Sequence, residues 1–150
     1  MAIPEFDKNG NLPPGIHWVA LDEIARRYAY NARRRTLFRG LSKALSNLRT
    51  AGVRRVWING SFITAKQEPG DVDGCWEYSS DVIVERLDPV FLDVDPPRVA
   101  MKTKHGVDFL VASAQLIDSA PRGKTILDFF QYDRNGSPKG ILGVSLEDEA

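Results

Sequence analysis

With 150 residues, the chain is long enough for one domain with a core of its own, and a composition of 43% apolar and 27% charged residues is ordinary for a globular protein. No apolar run approaches the roughly 20 residues that cross a bilayer, and the first residues lack the basic and apolar blocks of a secretion signal. The single cysteine, Cys75, excludes an internal disulfide and a cysteine-cluster zinc site. We therefore expect a single cytoplasmic domain over residues 1–150, with no membrane association.

Positive charge is concentrated in one part of the chain, although the formal net charge is zero. Residues 22–55, here called the basic segment, hold ten arginines and lysines against two acids, which gives +8 and leaves −8 elsewhere. Such asymmetry predicts a basic surface for phosphates, or for an RNA or protein acceptor. The alternative is a solvated helix surface whose charges pair with acids elsewhere, and the sequence leaves both interpretations open.

The first half of the chain is predicted to contain an arm, two helices and a strand. Turn signals such as Asn9-Gly10 and Pro13-Pro14-Gly15 predict an irregular N-terminal arm over residues 1–20. Periodicity then predicts helices over 21–31 and 33–50, the second ending near Gly52. The β-forming residues of 53–58 predict a short buried strand.

The second half alternates strands and helices. Strands are predicted over 72–78, 107–112 and 140–146, a short helix over 125–131, and short helical turns within 79–93. Asp95, followed by two prolines, predicts the start of a helix over 96–105 that Gly106 ends. This alternation predicts an α/β (α+β) fold in which helices pack against a mixed β-sheet.

Three aspartates carry the strongest chemical signal. Asp71 and Asp73 are separated by one residue, so a strand would project both carboxylates to the same side. Asp108 lies in an apolar strand where a lone charge is costly, and it completes a cluster if the two strands are neighbours. Oxygen-only ligands favour Mg²⁺ or Mn²⁺ over zinc, and such a cluster can hold two metals that bridge a triphosphate. A turn at Pro69-Gly70-Asp71 is the simpler alternative for the first two acids, and Asp108, as a strand-end acid, can simply pair with an arginine.

The segment before the first acid pair contains candidate nucleotide-binding residues. Gly60 would permit close approach of an NTP phosphate, and Ser61 offers a hydroxyl and, if it opens a helix, free N–H groups that favour anions. Lys66 is a further candidate for a phosphate contact, although an exposed loop lysine is the simpler interpretation.

The order Gly60-Ser61, Asp71-Val72-Asp73 and then Asp108 resembles the DNA polymerase β-like nucleotidyltransferase superfamily over about fifty residues. The resemblance implies transfer of a nucleoside monophosphate from an NTP to a hydroxyl, with release of pyrophosphate. It implies that Asp71 and Asp73 ligate magnesium, and that Asp108 ligates a second metal and accepts the hydroxyl proton. Gly60 and Ser61 would hold the triphosphate.

The flanking strings look like those of an uncharacterised bacterial family of small nucleotidyltransferase-like proteins. The resemblance is carried by Asn11-Leu12-Pro13-Pro14-Gly15-Ile16-His17, Arg33-Arg34-Arg35, Gly60-Ser61-Phe62 and Pro138-Lys139-Gly140-Ile141. One departure is Gly74, because the residue after the second acid is usually apolar, and glycine weakens a strand interior. This departure motivates the alternative of an inactive fold serving as a binding or regulatory module, for example in a toxin–antitoxin or defence pair. A plain nucleic-acid-binding domain that uses the basic segment is a third hypothesis.

Several other residues are predicted to have no chemical role. His17 and His105 are too few for a histidine metal site and are interpreted as structural, and Cys75 as a small core residue. Gly123-Lys124-Thr125 has the ending of a phosphate-binding P-loop, but Asp118 stands where that motif requires a glycine. We therefore reject a P-loop.

Overall fold

The computed structural model describes residues 3–114 and 125–147 and contains one five-stranded sheet with helices packed on it. Nine strands and helices occur in these ranges, together with 3-10 turns at Ser61–Ile63, Val84–Arg86 and Pro89–Leu92. In chain order they are β1 (Gly15–Trp18), α1 (Leu21–Tyr28), α2 (Ala32–Thr50), β2 (Arg55–Asn59), β3 (Val72–Trp76), α3 (Val99–His105), β4 (Val107–Val111), α4 (Ile126–Phe130) and β5 (Gly140–Ser145). The predicted mixed α/β (α+β) architecture is confirmed.

The sheet has the strand order β1-β5-β2-β3-β4. The outer pairs, β1 with β5 and β3 with β4, are parallel, whereas β2 is antiparallel to both of its neighbours. The start of β3, the start of β4 and the end of β2 therefore lie at the same end of the sheet. This arrangement decides where the functional side chains meet.

One face of the sheet packs against the long helix α2. Asn31 caps the helix by accepting a hydrogen bond from the backbone N–H of Arg34, and the apolar face beyond it is buried from Leu37 to Leu48. These side chains join the inward-facing residues of the strands, such as Val56 and Phe109, in the main core. Alternation along the strands sends the intervening residues to the opposite face.

A smaller core covers the second face. Trp57 of β2, Cys75 of β3 and Ile141 of β5 pack there with Ile126 of α4. Thr125 begins α4 by accepting a hydrogen bond from the N–H of Asp128, a short-range cap that fits the predicted helix. The burial of Cys75 raises the pKa of its thiol to about 12, so it behaves as the predicted core residue.

The predicted irregular arm is wrong for its last part. Gly15–Trp18 form β1, which pairs in parallel with β5 from Gly15 opposite Gly140 to Trp18 opposite Gly143. The partner lies more than a hundred residues away, and a four-residue edge strand has too little pattern of its own to be recognised.

The predicted helix 96–105 begins later than expected. It starts at Val99, and Asp95 does not cap it. A residue before proline avoids the α region, which excludes Asp95 and Pro96 from a helix, and Arg98 then adopts a left-handed conformation with φ of 53°. Gly106 ends the helix with φ of 68°, as predicted.

The remaining elements agree with the sequence within a few residues, including the short helical turns between 79 and 93. Within the described ranges, no helix combines the length and the apolar character needed to span a membrane. The rejected P-loop string lies largely at 118–124, outside the described residues.

Candidate metal centre

The three aspartates singled out by the sequence lie together at one end of the sheet. Asp73 and Asp108 are register partners on the parallel strands β3 and β4, and Asp71 precedes β3 by one residue. One carboxylate oxygen from each side chain lies within 4.8 Å of the others. All three side chains are half-buried, so the cluster is partly removed from water and is still accessible to a small ligand.

Asn59 extends this cluster onto a third strand. It is the register partner of Asp73 on β2, so the two side chains lie on the same face. Its side chain is 7% exposed, and its Oδ1 atom has no hydrogen-bond partner among the described residues. An unsatisfied buried oxygen is costly unless something binds it, and here it adds a fourth oxygen donor beside the aspartates.

The cluster holds more negative charge than its immediate hydrogen bonds neutralise. Burial, together with the neighbouring carboxylates of Asp71 and Asp108, raises the pKa of Asp73 to about 7. Burial and Asp108 also raise the pKa of Asp71. In the parts of the chain that the structure covers, no side chain forms a hydrogen bond or ion pair with either Asp71 or Asp73. The oxygens of these two carboxylates are therefore available to coordinate a cation.

Asp108 differs because a guanidinium group engages it. Arg98 Nε donates to Asp108 Oδ1 at 2.5 Å, Arg98 Nη2 donates to Oδ2 at 3.3 Å, and Lys102 Nζ lies 3.8 Å from Oδ2. Arg98 is also the residue held at positive φ, a conformation that costs an ordinary side chain about 1 kcal/mol. The strained residue thus places its side chain on the third carboxylate. Pairing of Asp108 with an arginine was one of the alternatives that the sequence left open, but the sequence did not identify Arg98.

Gly60 is required beside the cluster for a reason different from the predicted one. It has φ of 80°, and a Cβ there would lie 2.9 Å from both Cβ and Cγ of Asp73. The close approach is therefore to Asp73, and no phosphate is needed to explain the glycine. Ser61 opens only the three-residue turn Ser61–Ile63, which is too short for the helix dipole expected to favour an anion.

The structure does not bring Lys66 to the acids. Its side chain is exposed, and its carbonyl oxygen accepts a hydrogen bond from Arg34. The cations that act on Asp73 electrostatically are Lys102 and Lys139. Lys139 is half-buried, and burial lowers its pKa. Neither lysine was predicted from the sequence, because both reach the cluster only through the neighbouring positions of α3 and of the chain before β5.

A buried arginine organises the loop that leads to the cluster. Arg34 is completely buried, and its guanidinium donates to backbone oxygens of Tyr28, Phe62, Thr64 and Lys66, among others. Burial lowers the pKa of Arg34, but the converging carbonyl groups solvate its charge. One of the ten cations of the basic segment is therefore a structural residue inside the protein.

Two depressions flank the acids. The first, here called the aromatic cavity, measures about 410 Å³ and is lined by Asp73, Asp108 and Asn59 with cationic and aromatic side chains. Those further side chains are Arg98, Arg134, Lys139, Phe129, Phe130 and Tyr132.

The second depression, the α2–α3 groove, measures about 380 Å³ and reaches Asp71. Its basic side chains are Arg33, Arg39, Lys43, Lys102 and Lys104. The carboxylates thus stand between an aromatic compartment and a basic one.

The unusual Gly74 has a packing explanation. A Cβ at this position would lie 2.5 Å from Cε1 of Phe109 and 2.6 Å from the carbonyl oxygen of Trp57. Gly74 and Phe109 are register partners on β3 and β4, so the ring covers the space that a side chain would fill. Gly74 therefore serves the main core, on the face opposite Asp73, and does not loosen the acidic cluster directly.

The two histidines have structural surroundings. His17 Nε2 lies 2.7 Å from the carbonyl oxygen of Pro13, and His105 Nε2 lies 3.0 Å from Oδ2 of Asp88. The His105 ring also stacks on Phe91 with 5.7 Å between centroids. Neither belongs to the group of possible metal ligands found in the described residues, which consists of the three aspartates.

Comparison with known proteins gives a family and no assigned activity. No match was found among curated proteins or among solved structures. The model of one family, described as "Family of unknown function (DUF6932)", matches residues 4–145, which include every residue of the cluster. The chain is therefore a member of this family of unknown function.

Proposed function

We propose that this protein is a metal-dependent nucleotidyltransferase that moves a nucleoside monophosphate from an NTP to a hydroxyl of an RNA or protein acceptor. The observation that carries the proposal is the convergence of Asp71, Asp73 and Asp108, with oxygens within 4.8 Å of one another. Beside them lies the amide oxygen of Asn59, which has no hydrogen-bond partner in the described part of the chain. Structural carboxylates are normally paired with cations, whereas Asp71 and Asp73 have no such partner within residues 3–114 and 125–147.

The donor set fits a hard divalent cation. The set consists of three carboxylates and one amide oxygen, and it contains no nitrogen or sulfur ligand. Oxygen ligands of this kind are those that Mg²⁺ and Mn²⁺ prefer. Asp71 and Asp73 would hold the metal, with Asp108 as the third ligand. When bound, the metal would neutralise the triphosphate and favour ionisation of the attacking hydroxyl.

The surrounding side chains support nucleotide binding in the aromatic cavity. Phe129 and Tyr132 are half exposed there and offer surfaces on which a base can stack. Lys139 and Arg134 line the same cavity and can contact phosphate oxygens, which suits a nucleotide whose phosphates point to the cluster.

The proposed reaction is a single displacement at the α-phosphorus. The acceptor hydroxyl oxygen forms a bond to this phosphorus while the bond to the oxygen bridging to the β-phosphorus breaks, so pyrophosphate leaves. The hydroxyl proton passes to a carboxylate oxygen of the cluster. The contribution of the protein is positioning and charge stabilisation, as in other phosphoryl transfers.

The test is transfer of label from each of the four NTPs, labelled at the α-phosphate, to RNA and protein acceptors with Mg²⁺ or Mn²⁺. We expect transfer by the wild type, its loss in Asp71→Asn and Asp73→Asn, and wild-type activity in Asp22→Asn. Asp22 is a matched control because it is an exposed aspartate on α1, paired with Arg26. Absence of transfer under every condition, or equal transfer by Asp71→Asn, would refute the proposal.

The pairing of Arg98 with Asp108 favours a second candidate function. A bidentate guanidinium occupies the oxygens that a second metal would use. The fold would then bind a nucleotide without turnover and act as a regulatory module, for example in a toxin–antitoxin or defence pair. Saturable binding of an NTP without transfer, together with stable co-purification of the product of a neighbouring gene, would favour this alternative.

A further inference from the structure

The α2–α3 groove is a concentrated basic surface next to the acidic cluster. Five cationic side chains line it, three from α2 and two from α3, and Asp71 is the one acid among its described lining residues. The apolar lining is limited mainly to Leu37 on the floor. A surface with this composition suits a hydrophilic, negatively charged ligand.

The groove exists because α2 and α3 cross closely at Gly40. A Cβ at Gly40 would lie 2.8 Å from the carbonyl carbon of His105 and overlap with its oxygen. The side chains on either side of this contact therefore extend outward as two walls. On α2, the residues at 33, 36, 40 and 43 share one helical face, so Arg33 and Lys43 stand about 15 Å apart along the helix.

Other cations of the basic segment are already engaged elsewhere. Arg26 is paired with Asp22, Arg54 with Asp81 and Glu147, and Arg55 with Glu77. In contrast, Lys43 forms no hydrogen bond or ion pair within the described ranges, and Arg39 donates only to the hydroxyl of Thr36. Arg33, Arg39 and Lys43 thus bring positive charge without an acidic partner into the groove. Arg27, Arg35 and Arg49 also lack an acidic partner within the described ranges, but they do not line it.

Arg33 connects the groove to the cluster. Its guanidinium donates to the carbonyl oxygens of Pro69 and Gly70, directly before Asp71. A guanidinium group has five N–H donors, so donors remain for a ligand. Lys102 lies on the opposite wall, 3.8 Å from Asp108 Oδ2. A polyanion bound along the groove would consequently end beside the carboxylates.

We propose that the α2–α3 groove binds the sugar-phosphate backbone of a single-stranded nucleic acid and presents its terminal hydroxyl to the cluster as the acceptor. This assignment rests on the proposed function for the role of the hydroxyl, but the binding itself does not. The span of about 15 Å from Arg33 to Lys43 exceeds a triphosphate chain, and the five cations along the groove can contact about four phosphates of a flexible single strand. The aromatic residues that suit a base lie in the other cavity, which leaves the groove for the backbone.

The first experiment measures binding of fluorescently labelled single-stranded RNA and DNA oligonucleotides by anisotropy at several salt concentrations, in EDTA. We expect binding to weaken steeply with salt, with a slope of log K against log[salt] of about −3 for about four phosphate contacts. Lys43→Gln and Arg39→Gln should each weaken binding several-fold and make the slope shallower by about 0.7. The matched control Arg26→Gln removes an exposed cation outside the groove and should bind as the wild type does.

Competition identifies the class of ligand. Polyglutamate and free NTP are tested as competitors of the labelled oligonucleotide. If polyglutamate displaces it, and Lys43→Gln weakens both ligands equally, the groove is assigned to an acidic peptide instead. The same result with free NTP assigns the groove to the triphosphate. Salt-insensitive or absent binding, or equal binding by Lys43→Gln and the wild type, would also overturn the assignment to a nucleic acid.

Kinetics separate this inference from the proposed function. If an oligonucleotide accepts the label, Lys43→Gln should raise KM for the oligonucleotide several-fold and leave kcat unchanged, whereas a fall in kcat alone would contradict the assignment. Oligonucleotide binding that depends on Lys43, in a protein that transfers no label, would refute the proposed function and leave the binding site standing. Transfer of label to a protein acceptor, without oligonucleotide binding, would refute this inference and leave the proposed function standing.

Discussion

Asp73 and Asp108 are direct register partners on two parallel strands, although 35 positions separate them in the chain. Side chains paired in this way lie on the same face of a sheet, and here their carboxylate oxygens lie within 4.8 Å of each other. Two like charges in a half-buried position destabilise the fold unless a proton, a cation or a ligand compensates them. The register therefore holds two like charges close together, and a proton on Asp73, the guanidinium of Arg98 or a bound cation can compensate the repulsion.

Replacement of Asp73 by asparagine is expected to stabilise the metal-free protein at pH 8. The pKa of Asp73 is raised from 3.8 to about 7 in the folded state, so folding favours the protonated form. The stabilisation from this group is complete below pH about 4 and is lost as the pH rises through about 7. The ionised carboxylate then costs roughly 2–4 kcal/mol, and Asp73→Asn should melt about 5–10 °C above the wild type in EDTA at pH 8.

The difference between Asp73→Asn and the wild type should shrink towards pH 4, where both side chains are neutral. Asp22→Asn serves as the control, and its Tm should follow that of the wild type at every pH, because an exposed ion pair contributes little. A lower Tm for Asp73→Asn than for the wild type at pH 8 in EDTA would contradict this account of the cluster.

Replacement of Arg98 by glutamine is expected to tighten Mn²⁺ binding. The change frees both oxygens of Asp108 and removes a positive charge from the edge of the cluster. Loss of one competing partly exposed ion pair corresponds to about 1 kcal/mol, or roughly a fivefold lower Kd. Isothermal titration with Mn²⁺ measures the effect. Arg54→Gln, which removes an arginine paired with Asp81 far from the acids, should leave Kd unchanged. Weaker binding by Arg98→Gln would show that Arg98 positions Asp108 for the metal.

Replacement of Arg34 by methionine is expected to destabilise the protein and release the loop that follows β2. The buried guanidinium satisfies several backbone oxygens of that loop, which would be left unpaired. The loss should be about 3–5 kcal/mol in urea unfolding. Trypsin should also cleave after Lys66 faster than in the wild type. Arg35→Met changes the exposed neighbour and should alter neither quantity. Unchanged stability of Arg34→Met would remove this structural role.

Replacement of Gly74 by alanine is expected to cost about 1–3 kcal/mol in the free energy of unfolding, because the new methyl group would overlap with the Phe109 ring and the Trp57 carbonyl. Phe109→Leu in the same chain should recover part of the loss, since it removes the ring carbons that crowd the site. Gly70→Ala is the matched control, because a Cβ at Gly70 has no heavy atom within 4 Å. Equal stability of Gly74→Ala and the wild type would contradict the packing explanation.

Local chemistry allowed several features to be predicted from the sequence. Helix α2 was predicted because its apolar positions from Leu37 to Leu48 repeat with the helical period. Strand alternation predicted that Asp71 and Asp73 project to one side, and the two meet although β3 begins only at Val72. Asp108 could be proposed as the third acid because a charge in an apolar strand needs compensation. These inferences depend on residues a few positions apart, because helix and strand periodicity fix the relative directions of side chains only over that range.

Contacts between distant segments decided the rest. The strand Gly15–Trp18 depends on pairing with β5, and the groups around the acids come from separate elements: Asn59 from β2, Arg98 from the start of α3, and Lys139 from the segment before β5. Lys66 was a candidate for a phosphate contact, with an exposed loop lysine as the simpler interpretation; Arg34 holds its backbone carbonyl, and its side chain is exposed. A sequence pattern specifies which face of an element a residue occupies, but sheet order and helix crossings determine what stands opposite that face. The sequence therefore identified the three acids that meet, whereas the tertiary structure decided which groups surround them and where the basic surface lies.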